Sequence, residues 1–201
     1  MISIIDYDAG NIKSVEKALM KLGKDPVVTR DREKILASDH VILPGVGAFG
    51  DAMKKLDEYG LTDVIKEVAD RKVPLLGICL GLQLFFESSE ESPGVPGLGL
   101  LKGKILRIPS KPGLKIPHIG WNSLELQHEG RLFEGTGVEP YVYFVHSYYL
   151  KAEDDSIVKA KTFYGTEIHA SVEKDNIFAC QFHPEKSSDV GLKILENFCK
   201  V

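Results

Sequence analysis

Residues 77–81 read Gly77-Ile78-Cys79-Leu80-Gly81, and no other stretch constrains the fold as strongly. The apolar run Val73-Pro74-Leu75-Leu76 precedes it, and the helix-like segment Leu82-Gln83-Leu84-Phe85-Phe86-Glu87 follows. A strand that ends in Gly-x-nucleophile-x-Gly and turns at once into a helix is the layout of a nucleophile elbow. The two glycines leave room for a strained turn, which lifts the Cys79 side chain out of the sheet. The new helix aims free N–H groups and a positive dipole end at the sulfur, favouring thiolate. Taken alone, the pentapeptide fits a buried cysteine at a strand end about equally well. The rest of the chain has to decide between the two.

A cysteine nucleophile needs a base, commonly His, and a third group to orient that base. Residues 177–185 read Ile177-Phe178-Ala179-Cys180-Gln181-Phe182-His183-Pro184-Glu185. The apolar alternation predicts a strand that delivers His183 to its end. Pro184 stops the strand and fixes the turn. Glu185 is then placed to reach back, hold the imidazole tautomer and stabilise the imidazolium.

These two motifs, about a hundred residues apart in this order, resemble the Cys-His-Glu triad of class I glutamine amidotransferases. The resemblance covers essentially the whole chain. It narrows on Asp6-Tyr7-Asp8-Ala9-Gly10-Asn11, on Leu43-Pro44-Gly45-Val46-Gly47-Ala48-Phe49 and on Pro117-His118-Ile119-Gly120-Trp121-Asn122. With these segments the chain is similar to the glutaminase subunits of imidazole glycerol phosphate synthases, of histidine biosynthesis. Asp8 departs from the opening motif, where Gly is expected, and affects only the local loop.

The resemblance implies a flavodoxin-like α/β fold: a mixed, mainly parallel sheet with helices on both faces. It implies hydrolysis of glutamine to glutamate and ammonia, with catalytic residues Cys79, His183 and Glu185 and no cofactor. One oxyanion donor is expected at the Leu80 N–H, just after the nucleophile, and the resemblance places the other at Val46. Substrate-bordering candidates are Gly47, Gln83, Tyr143 and Ser147. The implied partner is a (β/α)₈-barrel cyclase subunit, forming a heterodimer, that receives the ammonia. Asn11, Trp121 and Lys186 are the candidates for that interface: the first two lie in the shared motifs and Lys186 follows Glu185.

Bulk properties exclude other classes. The 201 residues suffice for one domain, 1–201, with a substantial core. A net charge of −4 argues against nucleic acid or an anionic membrane as main partner. No apolar run approaches a membrane span. The chain opens directly on strand-like Ile2-Ser3-Ile4-Ile5, and the odd set Cys79, Cys180 and Cys199 forms no disulfide framework, so the expected compartment is the cytoplasm. The cysteines lack zinc-site spacing, so no metal is expected.

Along the first half, strand and helix patterns alternate: strands 2–7, 26–29, 40–43 and 74–78, helices 14–22, 32–37, 49–59 and 61–70. Apolar strands alternating with helices predict a parallel sheet covered on both faces. In the second half strands are predicted at 99–108, 141–149, 156–163, 167–172 and 177–182, partly antiparallel, before a closing helix at 190–199. Cys79, His183 and the glycines after Leu43 all fall at predicted carboxyl ends of strands, where sites of open α/β sheets lie.

Several features have plainer readings. The Pro44–Gly47 loop is also a tight turn after a strand, and it lacks the Lys-Ser/Thr of a P-loop. Gln83 is also an ordinary polar helix residue, and Trp121 serves equally as a core aromatic. Tyr143 and Ser147 are nearly as well explained by packing. His118, His128, His146 and His169 have no companion signature like His183-Pro184-Glu185 and read as packed or surface histidines. Asp6 and Asp8 read as a loop feature.

Overall fold

The apolar runs of the first half become the interior strands of one sheet. The computed structural model describes residues 1–8, 10–127 and 129–201. Ala9 of the opening motif and His128 lie outside the described residues. In chain order the first elements are β1 (Ile2–Ile5), α1 (Ile12–Lys21), β2 (Pro26–Thr29), α2 (Arg32–Leu36), β3 (His40–Gly45), α3 (Phe49–Glu58), α4 (Leu61–Asp70), β4 (Leu75–Cys79) and α5 (Leu80–Leu84). There follow β5 (Ser88–Ser89), β6 (Gly103–Arg107), β7 (His118–Ser123), β8 (Glu125–Leu126), β9 (Tyr141–His146), β10 (Tyr148–Ala152), β11 (Val158–Phe163), β12 (Glu167–Lys174), β13 (Ile177–Cys180) and α6 (Ser188–Phe198).

The main sheet runs β2-β1-β3-β4-β13-β12-β11-β8. Its first five strands pair in parallel and its last three antiparallel. This is the mixed, mainly parallel α/β sheet expected from the sequence. Alternate residues of the central strands face opposite ways, so each strand feeds two cores. Val41, Leu43 and Leu75 pack with Phe49 and Leu56 of α3 and with Val64 and Ile65 of α4. Ile42, Leu76 and Ile78 pack with Val15 and Leu19 of α1 and with Ile194 and Phe198 of α6. Burial on both faces explains why β4 is apolar without alternation. Among the described residues no helix is long and apolar enough to cross a membrane.

Two expectations for the second half change. The predicted strand 141–149 is two strands in two sheets: β9 pairs with β7, and β10 pairs with β6. The run of aromatic and β-branched residues hides the break, which falls at Ser147. The strand β7 itself escapes sequence reading, because Gly120 and Asn122 are poor strand formers and its apolar residues Ile119 and Trp121 face solvent.

At the elbow β4 passes into α5 with no residue between them. The turn is possible because two backbones nearly touch. A Cβ at Gly81 would stand 1.9 Å from the Leu43 carbonyl oxygen, and one at Gly77 would stand 2.7 Å from the Gly81 oxygen. Neither neighbour is a flexible side-chain tip, so the fold cannot give way locally. We expect Gly81→Ala to destabilise the protein by at least about 3 kcal/mol through forced overpacking. Chemical denaturation of the two proteins would measure it, and equal midpoints would refute the close-approach account.

Candidate active site

Cys79 ends β4 with φ 56° and ψ −108°, a left-handed backbone that a non-glycine residue holds only under constraint. The strands on either side supply the constraint: Gly45 of β3 lies opposite Cys79, and Cys180 of β13 lies opposite Ile78. The sulfur sits 3.7 Å from the side-chain nitrogen of Gln181 and 3.9 Å from the Val145 carbonyl oxygen.

His183 is delivered just beyond β13. Its N–H donates to the Tyr143 carbonyl at 2.9 Å. The Ser187 hydroxyl donates to the His183 carbonyl at 2.6 Å and accepts from the Tyr143 N–H at 2.9 Å. Pro184 then opens a 3₁₀ turn, Pro184–Lys186, that folds Glu185 back under the ring. His183 Nδ1 meets Glu185 Oε1 at 2.7 Å, and both side chains are shut from solvent. Asn11 Nδ2 donates to the same carboxylate oxygen at 3.1 Å, and its own Oδ1 accepts from Ser14 Oγ at 2.8 Å. The carboxylate is therefore held from two sides.

This arrangement presents His183 Nε2 to the cavity. That atom is buried and has no hydrogen-bond partner, yet Cys79 is close enough for its charge to act on the ring. Burial opposes the imidazolium, but the Cys79 sulfur and the Glu185 carboxylate outweigh it and raise the His183 pKa to about 10. A nucleophilic sulfur, a charged imidazole and an orienting carboxylate are the parts of covalent acyl transfer.

These groups open on a cavity of about 450 Å³, within the size range of small-ligand clefts. Its wall includes Val46, Gly47, Cys79, Leu80, Gln83, Ser147, His183 and Lys186 from the sequence-derived candidates. Glu91, Pro117, Val145, His146 and Tyr148 complete it. Leu80 opens α5, where backbone N–H groups lack intrahelical partners. Gln83 gives both amide protons to the protein, one to the Tyr148 carbonyl and one to Gln181 Oε1, each at 3.1 Å. Its carbonyl oxygen is what it offers a ligand.

Besides Glu185, which lies behind the His183 ring, three candidates stand away from the cavity wall. Tyr143 acts through its backbone, which holds His183 and Ser187. Trp121 is 53% exposed on β7 and meets the Tyr143 ring edge-on at 6.1 Å. Asn11 is half-buried behind Glu185. Sequence reading did not find that contact, which spans 174 residues of chain. It also missed Glu91, whose carboxylate accepts from the Phe49 N–H at 2.8 Å and lines the cavity. Nothing in the acidic segment around Glu91 separates it from a solvated loop. His118, His146 and His169 are buried. Asp6 and Asp8 bind Arg30 at 3.1 and 2.6 Å, a loop clasp away from the sulfur. Among the described residues no three His, Cys, Asp or Glu side chains gather as a metal ion requires.

Known proteins resemble this chain in sequence and in fold. The family model described as glutamine amidotransferase class-I matches residues 3–201. The imidazole glycerol phosphate synthase subunit HisH of Bacillus cereus (strain G9842) is 53% identical over 198 residues, covering 98% of this chain and 93% of its own. The protein of that name from Methanocaldococcus jannaschii is 49% identical over 201 residues, the full length of both chains. Among solved structures, a crystal structure of a glutamine amidotransferase superposes with a TM-score of 0.77 at 22% identity, covering 98% of each chain. The structure of PurLQS from Thermotoga maritima gives 0.75 at 22% identity, covering 99% of this chain and 97% of that one. At such identities these structures speak for the fold alone.

The charge on His183 has a measurable sign. Its folded pKa, about 10, lies above the unfolded value of about 6.5. Protonation therefore stabilises the fold in full below pH 6.5, and that contribution is lost as pH rises through about 10. We expect Glu185→Gln and Cys79→Ser each to lower the His183 pKa, as read by NMR titration of the ring. A titration unmoved by both changes would refute the ion-pair account.

Proposed function

The chain belongs to the class I glutamine amidotransferases, in the group of imidazole glycerol phosphate synthase glutaminase subunits, and from that premise we propose how it works. It hydrolyses glutamine to glutamate and ammonia through Cys79, His183 and Glu185, within one amidotransferase domain spanning 1–201. The observation that carries this reading is the buried His183–Glu185 pair at 2.7 Å beside a cysteine held at φ 56°.

The side-chain amide of glutamine enters the cavity with its carbonyl carbon over the Cys79 sulfur. An unperturbed cysteine, with a pKa of about 8.5, is mostly thiol at neutral pH. The Cys79 sulfur and the charged His183 imidazole line the same cavity. Attack gives a tetrahedral oxyanion that needs two fixed donors. The Leu80 N–H at the head of α5 and the Val46 N–H of the loop after β3 are the pair we assign. His183 passes its proton to the departing ammonia and leaves a thioester on Cys79. Water activated by His183 then releases glutamate. Gly47, Gln83 and Ser147 border the bound amino acid, and Tyr143 supports His183 from behind. Glu91 supplies a carboxylate for the α-ammonium group.

The ammonia passes to a (β/α)₈-barrel cyclase subunit that makes imidazole glycerol phosphate in histidine biosynthesis. The relatives' names, which call each protein a subunit, support such a partner. The surface of this chain supports the same reading. Ile119, Trp121 and Tyr141 are exposed on the β7–β9 ribbon, whose Val145 lines the cavity, and exposed Lys186 borders the same opening. Clustered exposed apolar side chains beside a site mark a docking face. Asn11 stands at its inner edge, on Glu185. Three free cysteines fit the reducing cytoplasm.

The first experiment is ammonia release from glutamine, alone and with a cyclase subunit plus its nucleotide ligand. We expect stimulation by the partner and loss of activity in Cys79→Ala. Glu185→Gln should lower turnover by about 10³- to 10⁴-fold. Ammonia release that survives Cys79→Ala would overturn the mechanism. In calorimetric titration against the cyclase, Trp121→Ala should weaken binding by about 30-fold, the scale of a ~2 kcal/mol aromatic hot spot. Unchanged affinity would move the interface elsewhere.

A further inference from the structure

A line of hydrogen bonds reaches the Cys79 sulfur from the outer strand β7, and its polarity follows from its two ends. One end is the Tyr148 carbonyl, which can only accept. His146 Nδ1 lies 2.8 Å from it and must carry the proton. Burial pushes the His146 pKa down to about 3, so the ring is neutral and its Nε2 has a lone pair. His118 Nδ1, 3.0 Å from that nitrogen, must therefore donate. The other end agrees. Asn122 receives the Ser123 N–H on Oδ1 and donates from Nδ2 to the Phe163 carbonyl at 3.1 Å. The same nitrogen faces His118 Nε2 at 3.5 Å, where a lone pair is wanted. Both histidines are thus Nδ1–H tautomers, His146 fixed by the Tyr148 carbonyl and His118 by the side chains of His146 and Asn122.

The Tyr148 carbonyl also fixes the other direction. Gln83 faces it with Nε2 and spends its second proton on Gln181 Oε1. Gln181 is wholly buried and is left with its nitrogen toward the Cys79 sulfur, 3.7 Å away. If Gln181 were flipped, two amide nitrogens would face each other and a carbonyl oxygen would face the sulfur.

We propose that Gln181 donates a hydrogen bond that stabilises the Cys79 thiolate, and that Gln83, His146 and His118 are positioning residues that hold that donor in its working orientation. The inference rests on Cys79 as the nucleophile. His146 lines the cavity and touches no reacting atom. It acts by holding the Tyr148 carbonyl toward Gln83. A donor to an anionic sulfur favours thiolate, because charge-assisted hydrogen bonds are the stronger kind.

The test is the pH dependence of Cys79 alkylation by iodoacetamide, with folding checked by circular dichroism. Gln181→Met removes the donor. It should slow alkylation at neutral pH by about tenfold, equivalent to one pKa unit. Gln181→Glu keeps the acceptor for Gln83 but sets a carboxyl oxygen at the sulfur, and should slow it further. His146→Phe should act in the same direction by a few-fold, and His146→Asn, which can donate to the Tyr148 carbonyl, should recover the loss. Two readouts on the unaltered chain need no variant to fold. Nitrogen-15 spectra should show Nδ1–H tautomers at His118 and His146, and alkylating Cys79 should shift the Gln181 side-chain amide signals. An Nε2–H tautomer at His146, or an unmoved alkylation profile in a folded Gln181→Met protein, overturns the proposal. None of these readouts depends on turnover. If the glutaminase reading itself fails, ammonia release survives Cys79 alkylation while these signals stand.

Discussion

The site depends on one steric fact: α5 begins within touching distance of β3. The Gly81 Cα hydrogens face the Leu43 carbonyl, and no side chain fits between them. That contact pulls the first turn of α5 back over the sheet, and Cys79 takes up the resulting strain at φ 56°. A single residue in this region of backbone space costs about 1–3 kcal/mol. The surroundings can hold it because β4 lies between two parallel neighbours, each hydrogen-bonded along its length. An edge strand could relax such a turn, whereas a central strand packed on both faces cannot. Cys79 thus takes its geometry from the middle of the sheet, the most rigid place the fold offers.

The partner residues are supplied by a looser device. His183, Pro184 and Glu185 lie beyond the end of β13, and polar contacts hold them instead of a strand ladder. Tyr143 and Ser187 grip the backbone of His183, while Asn11 grips the carboxylate. Burial would ordinarily discharge an imidazole. Here the carboxylate beneath it and the sulfur beside it reverse that tendency. Removing one partner would leave a buried charge uncompensated, which is why the set has meaning only when complete.

The parallel half of the fold was legible in the sequence, because strands buried on both faces read as apolar runs and amphipathic helices alternate with them. The elbow was legible for a related reason: a glycine on each side of a cysteine between strand and helix has few structural uses. The antiparallel half was less so. Residues 141–152 form one aromatic, β-branched run that crosses from one sheet to another at Ser147, and a change of pairing partner leaves no mark on hydrophobic periodicity. Contacts across long stretches of chain were illegible where no motif marked both partners. Asn11 on Glu185, Gln181 on Cys79 and Glu91 at the cavity wall use residue types common in loops and helices. Their meaning lies in position, which the fold alone supplies.

Two histidines line the same cavity and are driven in opposite directions. Burial lowers the pKa of His146 to about 3, and no carboxylate stands beneath it to resist. The His183 pKa is raised to about 10 by the carboxylate and sulfur that His146 lacks. The difference is one of neighbours, since both rings are buried. A site with two titrating imidazoles near the sulfur would leave the proton's location undecided at neutral pH. With His146 held neutral between His118 and the Tyr148 carbonyl, His183 is the histidine of the cavity wall left to exchange a proton in the proposed mechanism. In the proposed mechanism, specificity of proton transfer is a matter of which histidine received a carboxylate, and residue 185 decides it.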